Sequence, residues 1–166
     1  MPSYLLFTAS AGRRLVYASI VALACACSDS VPPADIVPST LNEELRGKVV
    51  LVPSINSAVW ASDPLTLSDV AIDGDTLRVR VTYGGGCRRH ALQPIAETVW
   101  LESYPVQVHA RVAHNAGADP CDALITRSLH VDLSPLKELY RQSYQSSSGR
   151  IKVRLAGAKD VPVYEF

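Results

Sequence analysis

The chain has 166 residues, enough for one domain with a buried core once an N-terminal leader is set aside. Sixteen basic residues balance sixteen acidic ones; Arg13 and Arg14 lie in a leader without acidic residues, so the remainder carries a net charge of −2 with neutral histidines. This balance lacks the excess of basic residues that is typical of nucleic-acid-binding proteins, and we expect no nucleic-acid partner. The longest apolar run, Leu15 to Ala24, has ten residues and is too short to cross a hydrocarbon layer roughly 30 Å thick.

The first 24 residues have the organisation of a signal peptide. After the two arginines and the apolar run, small residues and two cysteines follow in the order Ala22-Leu-Ala-Cys25-Ala-Cys27. The Ala-Leu-Ala-Cys25 stretch resembles the lipobox of bacterial lipoproteins, in which a peptidase cuts before a cysteine that carries diacylglycerol. Its leucine is one position closer to the cysteine than usual, and the residues before Cys27 are small but lack an aliphatic residue. We expect lipidation at Cys25, with Cys27 as the alternative; an ordinary secretory signal with incidental cysteines is the other interpretation.

The resemblance implies an exported protein anchored in the lipid bilayer by N-terminal acyl chains such as palmitate, since two chains make a stable anchor. The residue after the lipidated cysteine would be Ala26 or Ser28 rather than the aspartate that retains enterobacterial lipoproteins at the inner membrane. For a Gram-negative source, we therefore expect the outer membrane, facing the periplasm. Residues 25–45, rich in Pro and Ser, are predicted to be a tether, and residues 46–166 resemble the uncharacterised β-rich domains of exported lipoproteins.

The remainder of the chain is dominated by apolar residues at every second position, which predicts half-buried antiparallel strands. In the clearest examples Val79, Val108, Val131 and Val153 are predicted to be buried, and Arg80, His109, His130 and Arg154 to be exposed. Less regular strands are predicted at 49–52, 65–72, 98–102 and 161–165. Asp73-Gly74-Asp75 lies between two strand signals and predicts a hairpin turn with ordinary, solvated carboxylates.

One helix interrupts the strands at about 134–146. Ser134 is a candidate cap, Pro135 suits the first helical position, and Leu136, Leu139, Tyr140 and Tyr144 fall on one face. Many short strands with one late crossover helix predict a mainly β fold, namely a two-sheet, immunoglobulin-like sandwich. An irregular β-barrel is the second choice.

The most unusual stretch is Tyr83-Gly84-Gly85-Gly86-Cys87-Arg88-Arg89-His90. Three consecutive glycines permit backbone angles that other residues avoid, and they offer little side-chain packing. One interpretation is an anion-cradling loop with the two arginines beside open amides. The other is a bulge or sharp corner where the chain leaves a sheet, because no Gly-Lys-Ser/Thr follows the glycines.

Cys87 and Cys121 are the two cysteines that remain after the leader. In an exported protein, such a pair favours a disulfide, which requires the two Cα atoms to lie roughly 4.4–6.8 Å apart. The alternative is a zinc or copper site made of Cys87, His90, His114 and Cys121. Free thiols are the third interpretation.

A disulfide would bring the triglycine loop and the His114–Cys121 loop to one end of the sandwich. We therefore predict a binding rim made of Arg88, Arg89, His90 and His114, because binding residues concentrate on loops held by a rigid scaffold. Asp119 and Asp122 are expected to be solvated turn residues in the second of these loops.

A non-enzymatic binding or structural module of the cell envelope, without a cofactor, is the function that the sequence favours. Its partner would be an envelope protein or a small ligand. The alternatives are a metal-binding protein that uses the Cys/His set above and an envelope hydrolase. No Gly-x-Ser-x-Gly elbow or nucleophile–base pair is visible to favour the hydrolase, and no catalytic residue is predicted.

Overall fold

A computed structural model describes residues 44–166, which form nine strands and one helix. In chain order these are β1 (Glu44–Lys48), β2 (Val50–Val52), β3 (Thr66–Asp73), β4 (Thr76–Gly85), β5 (Ala91–Glu97), β6 (Val106–Asn115), β7 (Ala123–Asp132), α1 (Ser134–Tyr144), β8 (Arg150–Leu155) and β9 (Val163–Glu165). One sheet has the order β1-β7-β4-β3 and the other the order β2-β5-β6-β8-β9. The predicted mainly β, two-sheet sandwich with a late helix is confirmed. Cys25, Cys27 and the predicted leader lie outside the described residues.

The core lies between the sheets and follows the predicted side-chain phases. Val79, Val108, Val131 and Val153 are buried, and Arg80 and Arg154 are exposed, as predicted. His109 and His130 take the opposite phase to the core valines but are only half-exposed, since each lies beside a glutamate, Glu97 and Glu44 respectively. The predicted register is therefore confirmed.

The strand directions differ from the prediction of antiparallel pairing throughout. The pairs β1–β7, β2–β5 and β6–β8 are parallel, so both sheets are mixed. Alternation of apolar and polar residues indicates that one face of a sheet is covered. The same alternation occurs whether the neighbouring strand is parallel or antiparallel, so it does not predict the strand direction. Helix α1 follows β7 of the first sheet and precedes β8 of the second, which makes it a crossover between sheets.

One predicted strand is wrong. Residues 98–102 contain only an isolated bridge between Leu101 and Gln107, whereas the preceding segment, Ala91–Glu97, forms β5. Proline has no N–H to donate to a ladder, so Pro94 is an unfavourable residue in the middle of this strand. The structure places Pro94 opposite Val112 within the ladder all the same.

The helix begins where predicted, but Ser134 is not its cap. Leu133 occupies the capping position without a side-chain hydrogen bond, and Ser134 is the first helical residue. The carboxylate of Asp132 instead accepts hydrogen bonds from the Ser134 N–H at 2.8 Å and from its hydroxyl at 3.0 Å. The helix buries Leu136 and ends at Tyr144. The helix within residues 44–166 is not long and apolar enough to span a membrane.

The predicted hairpin at Asp73–Asp75 is present, with Gly74 in the left-handed region at φ +54°. The expectation that Asp75 is an ordinary solvated carboxylate is wrong. It accepts a hydrogen bond of 2.6 Å from the hydroxyl of buried Tyr164 and contacts the ammonium of Lys137. These contacts, the Lys137 hydrogen bond foremost, lower the pKa of Asp75 and tie the hairpin to the last strand and to the helix.

Candidate functional site

A disulfide between Cys87 and Cys121 confirms the predicted bridge. The two Cα atoms are 5.7 Å apart, within the range that a disulfide requires. Cys87 follows β4 and Cys121 precedes β7, two strands that pair with each other, so the bridge joins the two loops at one end of this pairing. With both sulfurs bonded to each other, the alternative metal site loses its two thiolate ligands.

The triglycine loop does bind an anion, which is the side-chain carboxylate of Asp119. One oxygen of Asp119 accepts hydrogen bonds from the N–H groups of Gly86, Cys87 and Arg88 at 2.9–3.0 Å. The other oxygen accepts the N–H of Cys121 at 2.9 Å. We call the three N–H groups of residues 86–88 the amide cradle. The side chain of Asp119 is 1% exposed, so the expectation of a solvated turn residue is wrong for Asp119.

Hydrogen bonds have the largest influence on the pKa of Asp119. The N–H of Cys121 contributes most to holding the pKa of this carboxyl far below its ordinary value of 3.8. The N–H of Arg88, the ring of His90 and the N–H of Gly86 act in the same direction, and they outweigh the desolvation that would raise the pKa. Asp119 is therefore ionised at neutral pH, and its carboxylate is held by both loops.

Gly85 makes room for this arrangement. A Cβ atom at Gly85 would lie 2.5 Å from Nε2 of His90 and 2.9 Å from a carboxylate oxygen of Asp119. Its φ of +154° also lies in a region that L side chains rarely adopt. Close packing thus requires a glycine at position 85, although three consecutive glycines were expected to offer little side-chain packing. A Cβ at the neighbouring Gly84 would meet open space.

Two histidines extend the polar cluster into the sandwich. Nε2 of His90 lies 3.1 Å from Asp119, and Nδ1 of His90 lies 2.8 Å from Nε2 of His114. Nδ1 of His114 lies 3.2 Å and 3.1 Å from the carbonyl oxygens of Asp63 and Pro64. Carbonyl and carboxylate oxygens only accept, so the outer nitrogen of each ring is placed to donate to its oxygen partner.

These contacts bury two of the four residues of the predicted binding rim. The side chain of His90 is 2% exposed, and His114 is 1% exposed. The ring of His90 stacks on the buried ring of Tyr83, and the ring of His114 packs against Tyr83 at a tilt of 45°. The disulfide does bring the four predicted residues to one end of the molecule. The two histidines nevertheless lie beneath the surface, and Arg88 and Arg89 are the exposed members of the set.

The sequence placed His114 at the start of a loop because the alternation stops at Val112. In the structure β6 continues to Asn115, and Val112, Ala113 and His114 are all buried. The N–H of His114 donates to the carbonyl of Ala61, and its own carbonyl accepts the N–H of Asp63. The segment that precedes β3 thus covers the end of β6 and encloses the histidine, an arrangement that periodicity does not report.

A concave surface of about 490 Å³ lies beside the disulfide loops, and we call it the arginine groove. Four arginines line it: Arg46, Arg88, Arg89 and Arg127. Its apolar lining comes from Leu45, Tyr83, Leu92, Ile125 and Leu129. Arg88 and Arg89 were predicted from the sequence, whereas Arg46 of β1 and Arg127 of β7 were not. The parity of β7 could have indicated Arg127, since it shares the inward phase of Leu129 and Val131.

No protein-family model and no curated protein matches the chain. Its fold is similar to that of a NigD-like immunity protein from Bacteroides caccae, with a TM-score of 0.53 and 14% identity over 74% of this chain and 59% of that protein. A protein from Bacteroides fragilis classed as a lipoprotein matches with a TM-score of 0.50 and 9% identity over 73% of this chain and 69% of that protein. The chain therefore spans about three fifths of the length of the immunity protein. At these identities the likeness shows a common β-sandwich fold.

Proposed function

We propose that the protein is an exported lipoprotein whose sandwich is a non-enzymatic binding or structural module, held at a membrane of the cell envelope by acyl chains on Cys25 or Cys27. The Cys87–Cys121 disulfide carries the proposal, because disulfides persist in the oxidising compartments that exported proteins reach. The lipobox-like leader supports the anchor. For a Gram-negative source, the proposed location is the outer membrane, facing the periplasm.

The polar cluster supports a role without catalysis. Its members, Asp119, His90 and His114, are buried, and their donors and acceptors are taken up by one another and by backbone groups. A general base must instead reach the proton that it removes from a substrate. The arrangement is suited to fixing two loops, and loops fixed on a rigid scaffold are where binding residues lie.

The fold comparisons are in keeping with this role. An immunity protein and a protein classed as a lipoprotein have the same sandwich, and neither description names an enzyme. We infer that the fold serves here as a stable carrier for a binding surface. The proposed partners are the lipid bilayer, through the acyl chains, and an envelope protein or small ligand, through the sandwich.

Metabolic labelling with a fatty-acid analogue tests the anchor. The wild-type chain, expressed with its leader, should take up the label and sediment with membranes. The double variant Cys25→Ala, Cys27→Ala should lose both properties, and the two single variants should show which cysteine is modified. Retention of the label by the double variant would refute the lipoprotein proposal.

Intact mass of the same exported protein tests the compartment. A Cys87–Cys121 bridge removes two hydrogens, so reduction should raise the mass of the protein by about 2 Da. The Cys87→Ser, Cys121→Ser variant is the control and should show no such change. A mass that corresponds to two free thiols in freshly exported protein would contradict export to an oxidising compartment.

A further inference from the structure

We propose that the arginine groove binds a small organic anion, with a carboxylate or phosphate on the arginines and an apolar or aromatic part on the groove's lining. The inference rests on the proposed binding function and names the class of its ligand. Three features of the groove carry it: the sign of its charge, the arrangement of its arginines, and its size and apolar floor.

The charge of the groove is local and of one sign. Its lining holds four arginines and no aspartate or glutamate, although the whole chain has equal numbers of basic and acidic residues. Another concave surface of the same domain provides the contrast. It also contains two arginines, Arg78 and Arg80, but Glu44 and Asp69 lie in its lining, and Asp69 is 2.7 Å from Arg80. In the arginine groove, Arg46 pairs with Glu44 at 3.2 Å, whereas the guanidinium groups of Arg88 and Arg89 have no carboxylate partner among residues 44–166.

Asp119 does not neutralise the groove either. Its carboxylate lies beneath the loop, where the amide cradle, the N–H of Cys121 and the ring of His90 already hold it. The anion that the triglycine loop holds is therefore used to build the loop. Arg88 and Arg89 extend from this loop with their charges uncompensated by it.

The arginines of the groove suit bidentate binding of a carboxylate or phosphate group. Among residues 44–166, the guanidinium of Arg89 makes no hydrogen bond or ion pair, and that of Arg88 donates through Nη1 to the carbonyl of Gly117 at 2.7 Å. Arg127 is half-buried and lies on the same face of β7 as the core residues Leu129 and Val131. All four cations of the groove are arginines, whose planar fork bonds carboxylate and phosphate through two parallel N–H groups, and none is a lysine.

The apolar residues of the lining indicate which chemical group the ligand carries besides its anion. Leu92 and Ile125 are only partly buried and pack against the core, and the ring of Tyr83 lies beside them. A volume of about 490 Å³ falls within the range of small-molecule sites, which combine apolar walls with a few charged groups. A bare inorganic ion would leave this floor uncovered, so the groove favours an anion that carries an apolar body.

Calorimetry on the full exported protein, purified in neutral detergent, tests the proposal with phenyl phosphate as the probe. Inorganic phosphate supplies the anion alone, and phenol supplies the ring alone. We expect phenyl phosphate to bind about tenfold or more tightly than either of them. The Arg88→Gln, Arg89→Gln variant should weaken this binding at least about tenfold. The matched control Arg78→Gln, Arg80→Gln removes the same charge from the other concave surface and should change the affinity by less than about twofold.

The Arg89→Gln single variant guards against an effect on folding, since the Arg89 guanidinium makes no hydrogen bond or ion pair among residues 44–166. It should weaken binding while leaving the thermal midpoint unchanged. No binding of phenyl phosphate, equal binding of phenol, or equal loss in the two double variants would each overturn the proposal. The lipid label is measured separately: a protein that is labelled but does not bind the probe refutes the groove alone, and a protein that binds the probe but is not labelled refutes the anchor alone.

Discussion

Nδ1 of His90 lies 2.8 Å from Nε2 of His114, and this contact links a loop to the end of a central strand. Asp119 adds a buried carboxylate to this pair, 3.1 Å from Nε2 of His90. A buried charge is tolerated only when it is paired and hydrogen-bonded, and here each partner has further hydrogen bonds to the backbone. The cluster therefore acts as a polar lock between the residues around Cys87 and those around Cys121.

The first prediction concerns the carboxylate of this lock. Asp119→Asn should destabilise the protein at pH 7, because an amide oxygen accepts fewer of the N–H groups around it and an amide N–H₂ faces other donors. The pKa of Asp119 is depressed in the folded state, so its stabilising contribution is complete above the ordinary value of 3.8 and is lost as the pH falls below it. The stability gap between wild type and variant should therefore be constant above about pH 5 and should narrow towards pH 2.

Denaturant unfolding of both proteins at a series of pH values measures this gap. Asp122→Asn is a suitable control, since Asp122 is an exposed residue of the same loop. A gap that widens on acidification would contradict the assignment of Asp119 as the charged member of the lock.

The second prediction compares two neighbouring glycines. Gly85→Ala should cost about 1–3 kcal/mol or more of unfolding free energy, because the new methyl group would overlap His90 and Asp119. Gly84→Ala should change it by less than about 0.5 kcal/mol, since that methyl group meets open space. Chemical denaturation of the two variants checks the difference. Equal effects of the two substitutions would show that His90 and Asp119 do not pack against Gly85.

Local patterns in the sequence were sufficient for the strand phases and for the disulfide. The alternation around Val79 and Val131 reports a covered face directly, and the two cysteines left after the leader had one pairing. The lock could not be predicted in the same way. Asp119 lies 31 to 33 residues from the N–H groups that it accepts, and Pro64 lies 50 residues from the ring that it contacts. Such contacts depend on the order of strands in the sheets, which alternation does not specify.

The third prediction concerns the hairpin between β3 and β4. Tyr164→Phe should lower the unfolding free energy by about 1–2 kcal/mol, because the buried hydroxyl donates to the carboxylate of Asp75. Tyr144→Phe is the control: its hydroxyl also meets a carboxylate, that of Glu102, but at an exposed site, where a loss below about 0.5 kcal/mol is expected. Thermal or chemical unfolding distinguishes the two. A Tyr164 effect no larger than that of Tyr144 would mean that the hairpin is held by Lys137 alone.

The last prediction concerns the disulfide. Cys87 and Cys121 are 34 residues apart. A disulfide that closes a loop of this length lowers the conformational entropy of the unfolded chain, which raises the free energy of unfolding by about 3–4 kcal/mol. The Cys87→Ser, Cys121→Ser variant should therefore lose about this amount of unfolding free energy, and a reductant should lower the stability of the wild type to a similar level. The same reductant should leave the variant unchanged, which controls for reduction elsewhere. Because residues 86–88 and 121 hold Asp119, their amides should also exchange hydrogen faster once the bridge is open. A loss below about 1 kcal/mol with unchanged exchange would mean that the polar lock alone holds the two loops together.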